Sequence, residues 1–138
     1  RGSRAYASLE AALARFRLSP PQPCENHYIA DYIARHSLKQ TENEAGQSGW
    51  IWKFDPSIFM NFEFSKLSSI VLDDITCRVA MMRGKDSVLV SDRIWEYMRG
   101  LRGDMDMVSV PDAQHHVMLD QPLAFIDAMR EQLERWNY

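Results

Sequence analysis

Histidine is the one side chain that ordinarily gains and loses its proton near neutral pH, and this sequence sets two of its four side by side, His115 and His116. They stand in Pro111-Asp112-Ala113-Gln114-His115-His116-Val117-Met118-Leu119-Asp120-Gln121-Pro122. When a carboxylate accepts a hydrogen bond from one imidazole nitrogen, the tautomer is fixed and the other nitrogen can take a proton from a nucleophile. Asp86, in Gly84-Lys85-Asp86, is the carboxylate best placed for that role. The same residues also fit a turn aspartate after a glycine together with two surface histidines.

What favours the pairing is the elements on either side. Cys77-Arg78-Val79-Ala80-Met81-Met82 is a mostly apolar run that stops at Arg83-Gly84-Lys85-Asp86, as a buried parallel strand does. Ser91 can cap a helix with Ile94, Trp95, Met98 and Leu101 on one face, broken by Gly100 and Gly103. Met105-Asp106-Met107-Val108-Ser109-Val110 then alternates as a second strand, closed by Pro111. Strand, helix and strand at this spacing make a βαβ unit with parallel strands and a right-handed crossover. Pro122 suits the first position of a last helix, whose face is Ile126, Met129, Leu133 and Trp136. Sites in parallel α/β sheets form at the carboxyl ends of strands, so Asp86 and His115 open on the same edge and can meet.

Composition sets the frame. With 46% hydrophobic residues in 138, the chain can fill one ordinary core. A net charge of -3 with scattered Lys and Arg excludes the concentrated basic face that a nucleic acid needs. No apolar run reaches a membrane span and no signal pattern opens the chain, so it reads as soluble and cytoplasmic. Cys24 and Cys77 lack metal or disulfide spacing and read as free thiols; no metal and no cofactor is expected. His27 and His36 are too far apart for a helical ligand pair, and the eight methionines read as core filling.

Upstream, Ser8 can cap a helix with Leu9, Ala12, Leu13 and Phe16 on one face, ended by Pro20-Pro21-Gln22-Pro23. Asn26 can cap a second, with Tyr28, Ile29, Tyr32 and Ile33 sharing a face and Asp31 reaching Arg35. The polar stretch from Thr41 to Gly49 reads as a loop. Trp50, Trp52 and Phe54 then alternate on a short extended piece stopped by Pro56; such aromatics are either core or the wall of an apolar pocket. An irregular aromatic segment is expected over 59–64, a short helix over 67–72 and a turn at Asp73-Asp74.

Gly84-Lys85-Asp86 after one strand, and Gln114-His115-His116-Val117-Met118-Leu119-Asp120-Gln121-Pro122 before the last helix, resemble the C-terminal end of the α/β-hydrolase superfamily. Arg15-Phe16-Arg17-Leu18-Ser19-Pro20, the segment from Tyr28 to Ser37, and Gly49-Trp50-Ile51-Trp52-Lys53-Phe54-Asp55-Pro56 are similar to the helical cap of esterase and peptidase-like branches. The resemblance implies an α/β fold in which 1–60 is a helical cap segment and 61–138 is the C-terminal part of the core, a βαβα unit of the parallel sheet. It implies that Asp86 is the triad acid and His115 the triad histidine. Gln114 stands where the family usually has Gly, so His116 stays a candidate. His115 is chosen because the family's histidine is the first after the residue that ends the loop.

The family's nucleophile sits earlier, on a Gly-x-Ser-x-Gly elbow that also carries oxyanion donors, and Gly46-Gln47-Ser48-Gly49 lacks that spacing. The chain therefore resembles the C-terminal half of an esterase-like hydrolase acting on a small ester-like substrate, and alone it should not turn over substrate. Ser, Asp and Cys remain open as the nucleophile. Phe16, Trp50, Trp52 and Phe54 are expected to wall the substrate pocket. The expected partner is the nucleophile-bearing N-terminal half, or a second copy exchanging elements, because a two-strand parallel unit leaves apolar edges uncovered. The alternative is a non-catalytic binding or interaction module that kept the fold.

Overall fold

The structure, a computed structural model, describes residues 5–42, 46–55, 57 and 74–137. These divide into two compact units, one drawn from 1–21 and 26–62 and the other from 22–25 and 63–138. Gln22–Glu25, which lie within the 1–60 stretch expected as the cap, thus fall in the second unit. The segments expected at 59–64 and 67–72, and Pro56 and Asp73, lie outside the described residues.

In the first unit, α1 (Leu9–Leu13) starts where Ser8 Oγ accepts the Ala11 N–H at 3.1 Å, and it buries Ala12. α2 (His27–His36) follows Asn26, whose side chain makes no cap bond to it. Arg35 Nε reaches Asp31 Oδ2 at 2.6 Å, one turn along the helix as the spacing predicts. The expected four-residue face of α2 is split. Ala34 is buried and Ile29 and Ile33 half-buried, while Tyr28 and Tyr32 are exposed. Tyrosine tolerates this because its ring carries a hydroxyl that stays in water.

Two strands follow where the sequence predicts one. β1 (Leu38–Glu42) pairs antiparallel with β2 (Ser48–Trp52), from Leu38 opposite Trp52 to Glu42 opposite Ser48. β1 falls partly in the stretch read as loop, because Lys39, Gln40, Thr41 and Glu42 hide its period. Only Leu38 is buried. Tyr6 closes the other side of β2 through a pair of 2.8 Å backbone bonds with Trp50, so the hairpin gains a third chain. β2 ends at Trp52 rather than running on to Phe54, and Lys53 N–H turns back to Ser37 O at 2.8 Å.

In the second unit, β3 (Ala80–Gly84) and β4 (Asp106–Val110) are parallel, with Ala80 opposite Asp106 and Gly84 opposite Val110. The crossover is α3 (Asp92–Leu101), begun by Ser91 Oγ accepting the Ile94 N–H and burying Trp95. β3 starts later than the apolar run suggests. Arg102 explains the shift, since its guanidinium holds the carbonyls of Ile75 (2.7 Å) and Cys77 (3.0 Å). Gly100 lies inside α3, and the break comes at Arg102 and Gly103.

After β4 the chain forms a short helix, α4 (Val117–Asp120), and then α5 (Pro122–Arg135), with Pro122 at its first turn as predicted. Val110, Ala113 and Val117 form a buried cluster against which Met82, Val108 and Phe125 pack. α5 does not bury the stripe read from its sequence. Ile126, Met129 and Leu133 stay 43%, 43% and 41% exposed, whereas Gln132 is buried. Its amide donates to Asp106 Oδ2 at 2.7 Å, and Trp136 Nε1 donates to the same oxygen at 3.2 Å, which ties α5 to β4 by polar contacts. Among the described residues no helix is long and apolar enough to cross a membrane.

Candidate active site

Parallel pairing puts the ends of β3 and β4 at one edge of the second unit's sheet, and the loops that leave them are laced together. Lys85 N–H donates to Val110 O at 2.8 Å and Asp86 N–H to Ala113 O at 2.9 Å. Gly84 makes the approach possible: a Cβ there would lie 1.9 Å from Gln114 O and 2.3 Å from Ala113 O. Asp112 takes a positive φ of 51° to turn the chain out of β4, a conformation that Asp adopts more readily than most residues.

The half-buried His115 stands on that loop, and its Nδ1 lies 3.2 Å from Ser87 Oγ. Ser87 is buried, and its Oγ also accepts the Val90 N–H at 3.2 Å. The expected Asp86 to His115 bond is not formed among the described residues, where the ring meets Ser87 instead. In the turn at Lys85 and Asp86, successive side chains leave the backbone in different directions. The residue that meets the ring is the next one along. Asp86 is exposed and lines a cleft of about 420 Å³ with Glu25, Asp112, Gln114 and Asp120.

His116 meets the His115 ring edge-on, with centroids 5.3 Å apart. Burial, and then the charge of His116, hold the His115 imidazole below its ordinary pKa, so the ring favours the neutral form a general base needs. The loop is clamped from two sides. Asp120 Oδ2 accepts the Gln114 N–H at 2.6 Å, and both Asp120 oxygens accept from Gln22 Nε2 at 3.1 Å. Gln22 Oε1 in turn accepts the His116 N–H at 2.8 Å. Ser87, Asp120 and Gln22 are site residues that sequence reasoning missed; Ser87 alone had a signal, its place beside Asp86.

Of the four expected pocket residues, the first unit brings three together. Phe16, Trp52 and Phe54 line a cleft of about 320 Å³ with Arg15, Arg17 and Ser37, and the Phe16 and Trp52 rings are 6.2 Å apart. Trp50 is not part of that lining; its backbone pairs with Tyr6. Ser48 begins a strand in an antiparallel hairpin, which is not the strand-to-helix turn of a nucleophile elbow. His36 bonds Tyr32 O through Nδ1 at 2.8 Å and stacks on the Tyr32 ring, as a helix-end residue does. Among the described residues no three His, Cys, Asp or Glu side chains are grouped to hold a metal.

No protein-family model matches this sequence, and no curated protein matches it. Solved structures do. An esterase of Mycobacterium tuberculosis is similar over 97% of this chain and 44% of its own, at 23% identity and a TM-score of 0.67. An E-2-(acetamidomethylene)succinate hydrolase is similar over 96% and 48%, at 21% identity and a TM-score of 0.63. A thioesterase domain from the curacin biosynthetic pathway is similar over 95% and 46%, at 13% identity and a TM-score of 0.58. The chain spans less than half the length of each of these structures. The likeness gives the fold: this chain has the C-terminal part of an α/β-hydrolase fold, in which β3 and β4 are strands of the parallel sheet.

Proposed function

From a fold that is part of an α/β-hydrolase, we propose that this chain supplies the catalytic histidine, His115, of an esterase-like hydrolase whose nucleophile lies outside these 138 residues. The observation that carries the reading is the placement of His115. It follows β4 at the edge where β3 also ends, with Nδ1 engaged by a buried hydroxyl and the loop clamped by Asp120 and Gln22. An imidazole that donates its Nδ1–H to such a hydroxyl has Nε2 for the work of a base.

In the proposed reaction Nε2 removes the nucleophile's proton as it attacks the acyl carbonyl, then returns that proton to the departing alkoxide. Water repeats both steps to release the acid. Asp86, expected as the acid of the triad, stands one residue from the side chain that meets the ring. Phe16, Trp52 and Phe54, with Trp50 on the same hairpin, are proposed as the apolar wall for the acyl group of a small ester. The proposed companion is the nucleophile-bearing part of the same enzyme, covering β3 and the exposed Ile126, Met129 and Leu133, or else a second copy. Cys24 and Cys77 are free thiols, which fits a cytoplasmic enzyme.

One observation favours a second reading, a non-catalytic module: the Asp86 carboxylate stands off the ring. Kinetics separate the two. In the protein complete with its nucleophile-bearing part, His115→Ala is expected to slow hydrolysis of a short p-nitrophenyl ester by about 10²- to 10⁴-fold. A variant that keeps more than a tenth of the wild-type rate refutes His115 as the base, and a complete protein with no hydrolysis at all supports the module.

A further inference from the structure

We infer that Ser87, and not Asp86, is the positioning residue for His115, its Oγ accepting the Nδ1–H so that Nε2 is the base. The inference rests on the proposed role of His115 and adds which side chain fixes that ring. Ser87 is placed by its backbone as well as by its burial: its N–H donates to Gly84 O at 3.2 Å, and the Gly84 position is itself fixed by the close approach of Gln114.

The hydroxyl can meet Nδ1 as acceptor or as donor, and the proposed base role of His115 selects between the two. A serine oxygen has two lone pairs and one hydrogen, and the Val90 N–H at 3.2 Å uses one lone pair. The second lone pair, 3.2 Å from Nδ1, is free for the Nδ1–H. Were the hydroxyl instead to donate to Nδ1, the ring's own proton would sit on Nε2 and the base would be out of service. Asp86 has no such geometry. Its exposed side chain lines an open cleft with Glu25, Asp112 and Asp120.

A hydroxyl orients an imidazole but carries no charge to pair with the imidazolium that forms during reaction. Ser87 should therefore contribute far less than a triad carboxylate. Removing one neutral hydrogen bond of ordinary strength corresponds to about a 2- to 12-fold loss of rate, against about 10⁴-fold when a triad aspartate is replaced.

Long-range ¹H–¹⁵N spectra of the histidine rings in the full protein read which nitrogen of His115 holds the proton. The wild-type ring should carry it on Nδ1, Ser87→Ala should move it toward the Nε2–H form that free imidazole prefers, and Ser87→Thr should keep it on Nδ1. Asp86→Asn should leave the ring as in wild type. With a p-nitrophenyl ester, Ser87→Ala should lower kcat by about 2- to 12-fold with KM little changed. A wild-type ring protonated on Nε2, a Ser87→Ala ring still held on Nδ1, or a tautomer that shifts in Asp86→Asn overturns the inference. Should Ser87→Ala fail to fold, the wild-type and Asp86→Asn spectra decide. A silent His115→Ala would instead refute the catalytic role and leave the tautomer result standing.

Discussion

Replacing Gly84 by Ala tests the arrangement at its tightest point. A Cβ at residue 84 would lie 1.9 Å from Gln114 O, where ordinary contact begins at 3.4 Å, so the carbonyl must retreat by about 1.5 Å. The obstruction is backbone, with no flexible side-chain end to swing aside. The retreat pulls Ala113 O away from the Asp86 N–H, now 2.9 Å from it, and moves the next residue, His115, off Ser87 Oγ. Overpacking of this kind costs about 1–3 kcal/mol, and the broken bond about another 1 kcal/mol. The urea midpoint of Gly84→Ala should fall accordingly with its slope unchanged. Ester hydrolysis should drop by about 10²-fold, the usual consequence of misplacing a catalytic group by an ångström. Wild-type stability together with wild-type hydrolysis would refute the idea that this glycine sets the histidine loop.

Asp120→Ala leaves the Gln114 N–H and the Gln22 amide without their carboxylate, and should cost about 2–4 kcal/mol in urea denaturation; a loss under about 0.5 kcal/mol would show the clamp to be idle. Stability should also depend on pH through His115. Its folded pKa lies below the ordinary value of about 6.5, so the unfolded chain takes up the proton first. The ring's contribution is then complete above pH ~6.5 and is lost as the pH falls through that value towards the folded pKa. His115→Gln should lose less stability than wild type between pH 7.5 and 5, and equal losses would contradict the shift. Light scattering should find this chain associated or bound to a companion; a stable 16.0 kDa monomer with cooperative unfolding would mean that these residues complete their own core.

The βαβ unit was legible because three independent signals agree: an apolar run into Gly84, a Ser91 cap before an amphipathic period, and an alternating strand closed by Pro111. Pro122 marked the start of α5 for an equally local reason. β1 was hidden because one buried residue, Leu38, is too little period to read, and its pairing with β2 is a tertiary fact. Ile126, Met129 and Leu133 form the helical stripe that the spacing predicts, yet the chain packs α5 through Phe125, Gln132 and Trp136 instead. The site divides in the same way. That a histidine would follow β4 could be read from the strand context. Which of Asp86 and Ser87 meets it could not, because a turn decides which of two adjacent side chains faces the loop. Gln22, between two prolines, gave no sign of a partner as distant in the chain as Asp120.

If this chain contributes a base to a nucleophile carried elsewhere, covalent labelling of that nucleophile depends on His115. A fluorophosphonate captures a serine only when a neighbouring base activates it. Applied to the complete protein and mapped by mass spectrometry, the label should fall on a serine outside these 138 residues and be lost in His115→Ala. A label on Ser48 or Ser87, or one undiminished in His115→Ala, would contradict the account.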